Sequence, residues 1–370
     1  MKKNQLVTLG KHIDILSGCA FPSSGFNRNN GVPLIRIRDI LSGKTETYYE
    51  GSYDLKYLIK KGDLLVGMDG DFNREYWKGT DALLNQRVCK ITPNPETLDK
   101  NFLYHFLQKE LDKIHATTDV VTVKHLSVKK IQDIKIRLPS LKEQKRIAAI
   151  LDKADAIRQK REQAIKLADD FLRAKFLEMF GTPANNIHRF PKGTIRDLVD
   201  SVNYGTSAKA SIDSGEYPIL RMGNITYQGR WDFTDLKYLD LSVKEKDKYL
   251  VKEGDLLFNR TNSKELVGKT AVYEEDRPMA FAGYLIRVRP NSIGNNYYIS
   301  GYLNSIHGKI TLMNMCKSIV GMANINAQEL QNIEILIPPK HLQDEYEIIY
   351  KKIKKGLSIY DKSAMQLQLL

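Results

Sequence analysis

Three segments of this chain occur twice, in the same order. Val32-Pro33-Leu34-Ile35-Arg36-Ile37-Arg38-Asp39-Ile40 returns as Tyr217-Pro218-Ile219-Leu220-Arg221-Met222-Gly223-Asn224-Ile225. Lys61-Gly62-Asp63-Leu64-Leu65 returns as Glu253-Gly254-Asp255-Leu256-Leu257, and Ile131-Gln132-Asp133-Ile134-Lys135-Ile136-Arg137-Leu138-Pro139 is echoed by Leu330-Gln331-Asn332-Ile333-Glu334-Ile335-Leu336-Ile337-Pro338. The offsets are 185, 192 and 199 residues, far beyond the roughly 20 to 50 of stacked repeats, so the duplicated unit is a whole domain. A chain of 370 residues also exceeds what one hydrophobic core serves. The drift in offset places small insertions in the loops of the second copy, where binding specificity changes most readily. Two similar modules predict a pseudo-two-fold molecule with two similar, non-identical surfaces, a geometry suited to a two-part target.

The partner of such surfaces is indicated by charge. With 57 Lys plus Arg against 44 Asp plus Glu, the formal net charge is +13, which points to a polyanion, nucleic acid first. No run approaches the roughly 20 apolar residues of a spanning helix, and the start, Met1-Lys2-Lys3-Asn4-Gln5, leads into no apolar signal core. Cys19, Cys89 and Cys316 are scattered and odd in number, which offers neither a disulfide framework nor a paired-cysteine zinc site. A reducing, cytoplasmic compartment is the expectation.

Between Pro139 and Gly181 the pattern changes from β-like alternation to a stretch with neither Pro nor Gly. Only a long helix fits it, capped near Ser140 and stopped by Gly181 and Pro183. At 1.5 Å per residue it is a rod of about 60 Å, which needs a partner. The end of the chain supplies one: Tyr346, Tyr350, Ile353, Leu357, Tyr360, Ala364 and Leu367 recur at alternating spacings of four and three, a heptad seam. Ile147, Leu151, Ala154, Ile165, Ala168 and Leu172 form the matching stripe of the central helix, interrupted by Arg158 and Arg161.

Each module ahead of its helix reads as mixed α and β. Val32 to Ile40, Asp63 to Val66 and Arg87 to Ile91 are expected as strands, and Asn101 to His115 as a helix with Phe102, Leu103, Phe106, Leu107, Leu111 and Ile114 inward. In the second module the strands are Tyr217 to Ile225, Asp255 to Phe258 and Tyr284 to Val288, with a helix over Asn295 to Met313. The fold class is therefore α+β: two similar mixed α/β domains joined by two long antiparallel helices that form a coiled coil.

The residues of the central helix carry a resemblance. Leu138-Pro139-Ser140-Leu141-Lys142-Glu143-Gln144-Lys145-Arg146-Ile147-Ala148-Ala149-Ile150-Leu151-Asp152-Lys153-Ala154 resembles the central region of type I restriction-modification specificity subunits. The Pro-x-x-x-x-Gln element, present at Pro139 to Gln144 and Pro338 to Gln343, is similar to the one that ends each target recognition domain there. Gly67-Met68-Asp69-Gly70-Asp71-Phe72-Asn73 and Asn259-Arg260-Thr261-Asn262-Ser263-Lys264-Glu265-Leu266-Val267-Gly268-Lys269 look like recognition-domain motifs. The resemblance spans essentially the whole chain. It implies recognition domains over 1–139 and 182–338, a central spacer helix over 140–181 and a C-terminal helix over 339–370. It implies a non-catalytic subunit whose domains each read one half of a bipartite, asymmetric duplex DNA target, with the paired helices as ruler. The implied partners are two methyltransferase subunits holding S-adenosylmethionine and a motor-nuclease subunit using ATP and Mg, with no cofactor in this chain. Lys340-His341-Leu342-Gln343-Asp344-Glu345 departs from the family pattern, and the last helix is shorter than the central one, which puts docking of the second methyltransferase in question. The competing reading is a protein-binding scaffold whose basic charge is incidental.

Catalytic motifs fail on inspection. Ser263 to Thr270 has Gly-Lys-Thr, but Ser stands where the first Gly of a phosphate loop belongs and Ala271-Val272-Tyr273 reads as strand rather than helix. No Asn-Pro-Pro-aromatic element for holding a flipped base is present, none of the prolines precedes Asp, and the histidines show no metal-ligand spacing. The expected work is reading. Arg74 and Arg87 are candidates for guanine, by bidentate pairing to O6 and N7, and Asp69 and Asp71 for cytosine N4, with a self-bonded turn as the alternative for the two acids. Asn73 belongs to the same loop. In the second module Arg260, Asn262, Ser263 and Lys264 form a polar loop on the DNA surface, with Arg260 and Asn262 as candidates for bases and Lys264 and Lys269 for phosphate. Arg36 and Arg38, on one face of an expected strand, and Arg221 with Asn224 extend the DNA surface, to which Lys124, Lys129 and Lys130 add charge.

Overall fold

The computed structural model describes residues 6–118, 123–316 and 321–368, with side chains described as far as Leu357. The chain divides into two compact units, 1–159 and 160–370.

In the first unit Ile13–Ser17, Val88–Pro93, Leu64–Gly67 and Arg74–Tyr76 pair in that order as an antiparallel sheet. Val32–Ile35 and Ala82–Leu84 run parallel at the heart of a second sheet. The helix Lys100–Ala116 buries Leu103, Leu107 and Leu111 against Leu64, Val66 and Ile91, which is the face its apolar spacing dictates. Asp99 caps it by accepting from the amides of Asn101 and Phe102.

The second unit repeats the plan. Val199–Tyr204, Leu285–Pro290, Leu256–Asn259 and Thr270–Val272 pair in the matching order, and Tyr217–Leu220 runs parallel to Met279–Phe281. The repeated Gly-Asp-Leu-Leu segments explain themselves. Gly62 and Gly254 sit at φ +90° and +88°, a conformation that favours glycine, and each following aspartate closes the turn by accepting from the amide of Lys60 or Lys252. The apolar pair then enters the central strand. Asp255 goes further, accepting from Arg289 at 2.7 and 3.0 Å in the interior.

Two expected strands end early. Val32–Ile35 stops before Arg36, and Ile37–Asp39 is a 3-10 turn. Its reason is Asp39, whose carboxylate accepts from the Arg36 amide at 2.9 Å. Likewise Tyr217–Leu220 gives way to the turn Met222–Asn224, closed by Asn224 on the Arg221 amide at 2.8 Å. The strand-face reasoning for Arg36 and Arg38 therefore does not apply. The helix expected over Asn295 to Met313 is two helices, Asn296–Asn304 and Ile306–Met315, because Ser305 ends the first and its Oγ caps the second through the Gly308 amide.

The central helix runs Leu141–Phe180 without interruption. Gly181, at φ +68°, ends it by donating to the Leu177 carbonyl, and a Cβ there meets the Asn185 carbonyl at 2.7 Å. The Pro-x-x-x-x-Gln element is a clamp at the start of each long helix. Gln144, fully buried, donates to the carbonyls of Thr97 and Pro139 and accepts from the Asp99 amide. Gln343, equally buried, donates to Ile293 and Pro338.

Within the second unit the end of the central helix meets the C-terminal helix, Lys340–Gln368. Phe176 and Phe180 pack edge-on to Tyr346, while Asp169 and Leu172 share a small enclosed space with Tyr350, Lys354 and Leu357. Residue numbers fall along one helix as they rise along the other, so here the two run antiparallel. The stripe thus holds at Leu172, Tyr346, Tyr350 and Leu357, with Ile165, Ala168 and Ile353 partly buried. The densest contact comes from Phe176 and Phe180, one and two turns beyond the expected stripe. In the first unit Ile147 and Ala154 are partly buried, and Leu151 is exposed. The side chains of Tyr360, Ala364 and Leu367 lie outside the described residues.

Candidate nucleic-acid interface

Each unit carries a polar cleft at the same place in its fold. In the first, strand Leu64–Gly67 runs out into Met68–Asn73. Phe72, at φ +50° and fully buried, nails this loop into the core, edge-on to His115. A non-glycine residue held at positive φ is strained, and the strain is offset by burying the ring. The loop presents Asp69, Asp71 and Asn73 to a cleft that Arg36, Arg38 and Arg87 also line. Six sequence-predicted residues therefore converge. Asn85 and Gln86 line it too; polar residues just after a strand carried no motif to single them out.

Arg87 and Asp69 face each other across this cleft. Arg87 Nη1 lies 3.1 Å from Asp69 Oδ2, and His125 Nδ1 lies 2.7 Å from Asp69 Oδ1. The Asp69 carboxylate is thus held between an arginine and a histidine, rather than folded onto its own turn. His125 escaped sequence reasoning because it is 56 residues away and lone histidines are uninformative. Arg74 does not line the cleft: its guanidinium lies over the Tyr104 ring at 3.5 Å, and Tyr104 stacks on Tyr76. Lys124 and Lys130 are also diverted, donating to the His115 carbonyl and to Thr118 Oγ1 at the end of the helix Lys100–Ala116. That is a helix-capping position for a cation.

The second cleft is lined by Arg221, Met222, Lys237, Asn262, Lys269 and Tyr284, with Ala208, Leu266 and Ala282 beside them. Arg221 is steered by Asp235, to which it donates at 2.8 Å. Asn224 corrects an expectation: it is buried, accepting from the Arg221 amide and donating to the carbonyls of Asp232 and Asp235, which makes it a turn-former rather than a surface contact. Lys269 is a second correction. It reaches the cleft wall from below, buried, with Nζ donating to the Met222 carbonyl, and burial lowers its pKa, so it is no surface phosphate contact. Arg260 lies over the Tyr204 ring at 4.8 Å. Ser263 lies on the short strand Thr261–Ser263 and Lys264 follows it; neither lines the cleft. Thr270–Val272 is a strand, so the Gly-Lys-Thr run has no helix to cradle phosphate.

Among the described residues no cluster of three or more His, Cys, Asp or Glu is placed to hold a metal, and none of the helices is long and apolar enough to cross a membrane.

Paired α+β domains, each with an arginine-bearing cleft beside a central strand and each followed by a long helix, define a class of two-part nucleic-acid reader. The chain belongs to the type I restriction modification DNA specificity family, whose model matches residues 1–167 and 190–368. It is 31% identical over 374 residues to the type I restriction enzyme EcoBI specificity subunit of Escherichia coli, covering 93% of this chain and 77% of that one. It is 24% identical over 350 residues to the EcoKI specificity subunit from the same species, covering 87% and 75%. Its fold is similar to the crystal structure of a type I restriction-modification S subunit from M. genitalium, with a TM-score of 0.64 over 99% of this chain and 93% of that one at 15% identity. The chain is accordingly a DNA-specificity subunit of a type I restriction-modification system and not its catalytic part.

Proposed function

We propose that each domain reads one half of an asymmetric, bipartite duplex target through its cleft, and that the long helices set the gap between the halves. The observation that carries this is the cleft built twice: the same strands and turns, bearing different side chains. Arg36, Arg38 and Arg87 supply positive charge and base-edge donors in the first domain, with Asp71 and Asn73 beside them; in the second, Arg221 supplies the charge and Asn262 and Tyr284 neutral hydrogen-bonding groups. On this reading the long helices dock two methyltransferase subunits, which hold S-adenosylmethionine, and a motor-nuclease subunit brings ATP and Mg. The assembly works in the cytoplasm.

The test is selection of randomised duplexes by the full chain, followed by titration of the selected duplex against salt. A two-part consensus and a log K against log salt slope of about 0.9 per neutralised phosphate are expected. Recovery of no sequence preference, or binding indifferent to salt, would sink the reading.

A further inference from the structure

The two clefts can be superposed bond by bond. In the first domain the Met68 amide donates to the Arg87 carbonyl at 2.9 Å, and the Leu126 amide donates to the Met68 carbonyl at 2.7 Å. In the second, the Arg260 amide donates to the Tyr284 carbonyl at 3.0 Å, and the Ile325 amide to the Arg260 carbonyl at 2.8 Å. Met68 therefore corresponds to Arg260, Arg87 to Tyr284 and Leu126 to Ile325. One residue further along, Asp69 bridges to His125 and Thr261 pairs with Asn324. An ion pair, Asp69 and Arg87, with His125 beside it, stands where the other domain has the neutral Thr261, Tyr284 and Asn324.

The ion pair has a directed geometry. Asp69 is mostly buried, with 20% of its side chain exposed, whereas Arg87 is 55% exposed. One carboxylate oxygen contacts the guanidinium through Nη1, and the other contacts His125, itself 56% exposed. An arginine has five N–H donors in a planar fork, and a single contact through Nη1 leaves Nη2 and Nε for an outside acceptor pair. That is the spacing of O6 and N7 on guanine. Fixing the side chain in advance reduces the entropy lost on binding. The arrangement also accounts for an acid in a DNA-facing cleft: Arg87 faces its charge, and His125 lies within hydrogen-bond distance of its other oxygen. Tyr284, 54% exposed, presents a ring and one hydroxyl and has no such fork.

We propose that Arg87, positioned by Asp69 and His125, reads a guanine in the half-site of the first domain, and that the second domain, with Tyr284 there, makes no arginine contact to guanine at the equivalent base. This rests on the half-site reading above and assigns it a base and a residue. Asp69 is then a positioning residue rather than a cytosine reader.

The experiment is duplex selection with the full chain and its Arg87→Gln, Arg87→Lys and Asp69→Asn variants, each first shown by thermal melting to be folded. The parent is expected to select a guanine at one position of one half-site. Arg87→Gln should lower preference for that guanine about ten- to a hundredfold, the range of a lost bidentate pair, while the other half-site is selected unchanged. Arg87→Lys should keep a weaker preference, and Asp69→Asn should relax the same position and no other, which a general loss of stability does not do. A parental consensus left unaltered by both Arg87 variants overturns the assignment while the half-site reading stands. No parental consensus at all overturns both.

Discussion

Lys309 shows how much a single side chain can be at odds with its surroundings. Its Nζ is buried without a hydrogen-bond partner and lies over the Tyr227 ring at 4.7 Å. Burial, with Arg173 and Lys269 nearby, pushes its pKa from 10.5 down to about 8. The unfolded chain therefore binds the proton more tightly than the folded one, and stability rises with pH between these two values. The penalty, on the order of 3 kcal/mol, is present in full below pH 8 and gone above pH 10.5. Lys309→Met should raise the urea midpoint at pH 7 and flatten the rise toward pH 10; parallel pH profiles for variant and parent would contradict this. Asp69 carries the opposite lesson. Its carboxylate is fully engaged, yet neither His125 nor the direction of Arg87 is visible in sequence, because both depend on contacts across long separations.

At the scale of elements, the long central helix was legible because local signals agree from Ser140 to Phe180: no Pro or Gly, and an abundance of strong helix formers over a stretch too long for a strand. Strand ends were less so. Ile35-Arg36-Ile37 continues an alternation that suits a strand, and only the capping geometry of Asp39 reveals the turn. The same holds for Ser305, which reads as an ordinary helical residue until its hydroxyl is seen on the Gly308 amide. The Pro-x-x-x-x-Gln element was recognisable as a pattern, but its work is structural. Gln144→Ala should leave the part-buried Asp99 amide and Thr97 and Pro139 carbonyls without their side-chain partner, a loss of roughly 2 kcal/mol. Faster hydrogen exchange at Asp99 with a lowered urea midpoint is the expected result. Gln343→Ala should lose less, since Gln343 Oε1 has no partner to forfeit; equal losses would refute the distinction.

For the whole molecule, duplication was the decisive and easily read property, and charge gave the polyanion. Which of the basic residues face the ligand was not readable, because Lys269, Lys124 and Arg74 are directed inward or along the protein by carbonyls and rings that no local pattern announces. Exchange of residues 182–337 for the same region of a relative should change one half of the selected target and leave the other intact, as read by duplex selection. A change in both halves would argue that the domains do not read independently.

The bonds that close each cleft, between Met68, Arg87 and Leu126 and between Arg260, Tyr284 and Ile325, are made by main-chain atoms alone. Met68, Leu126 and Ile325 are committed to the core, but these bonds place no demand on the exposed side chains at positions 87 and 284. A lineage can therefore acquire a new recognition specificity by point substitutions at the rim without first rescuing its fold, and duplication doubles the supply of positions at which such experiments are harmless.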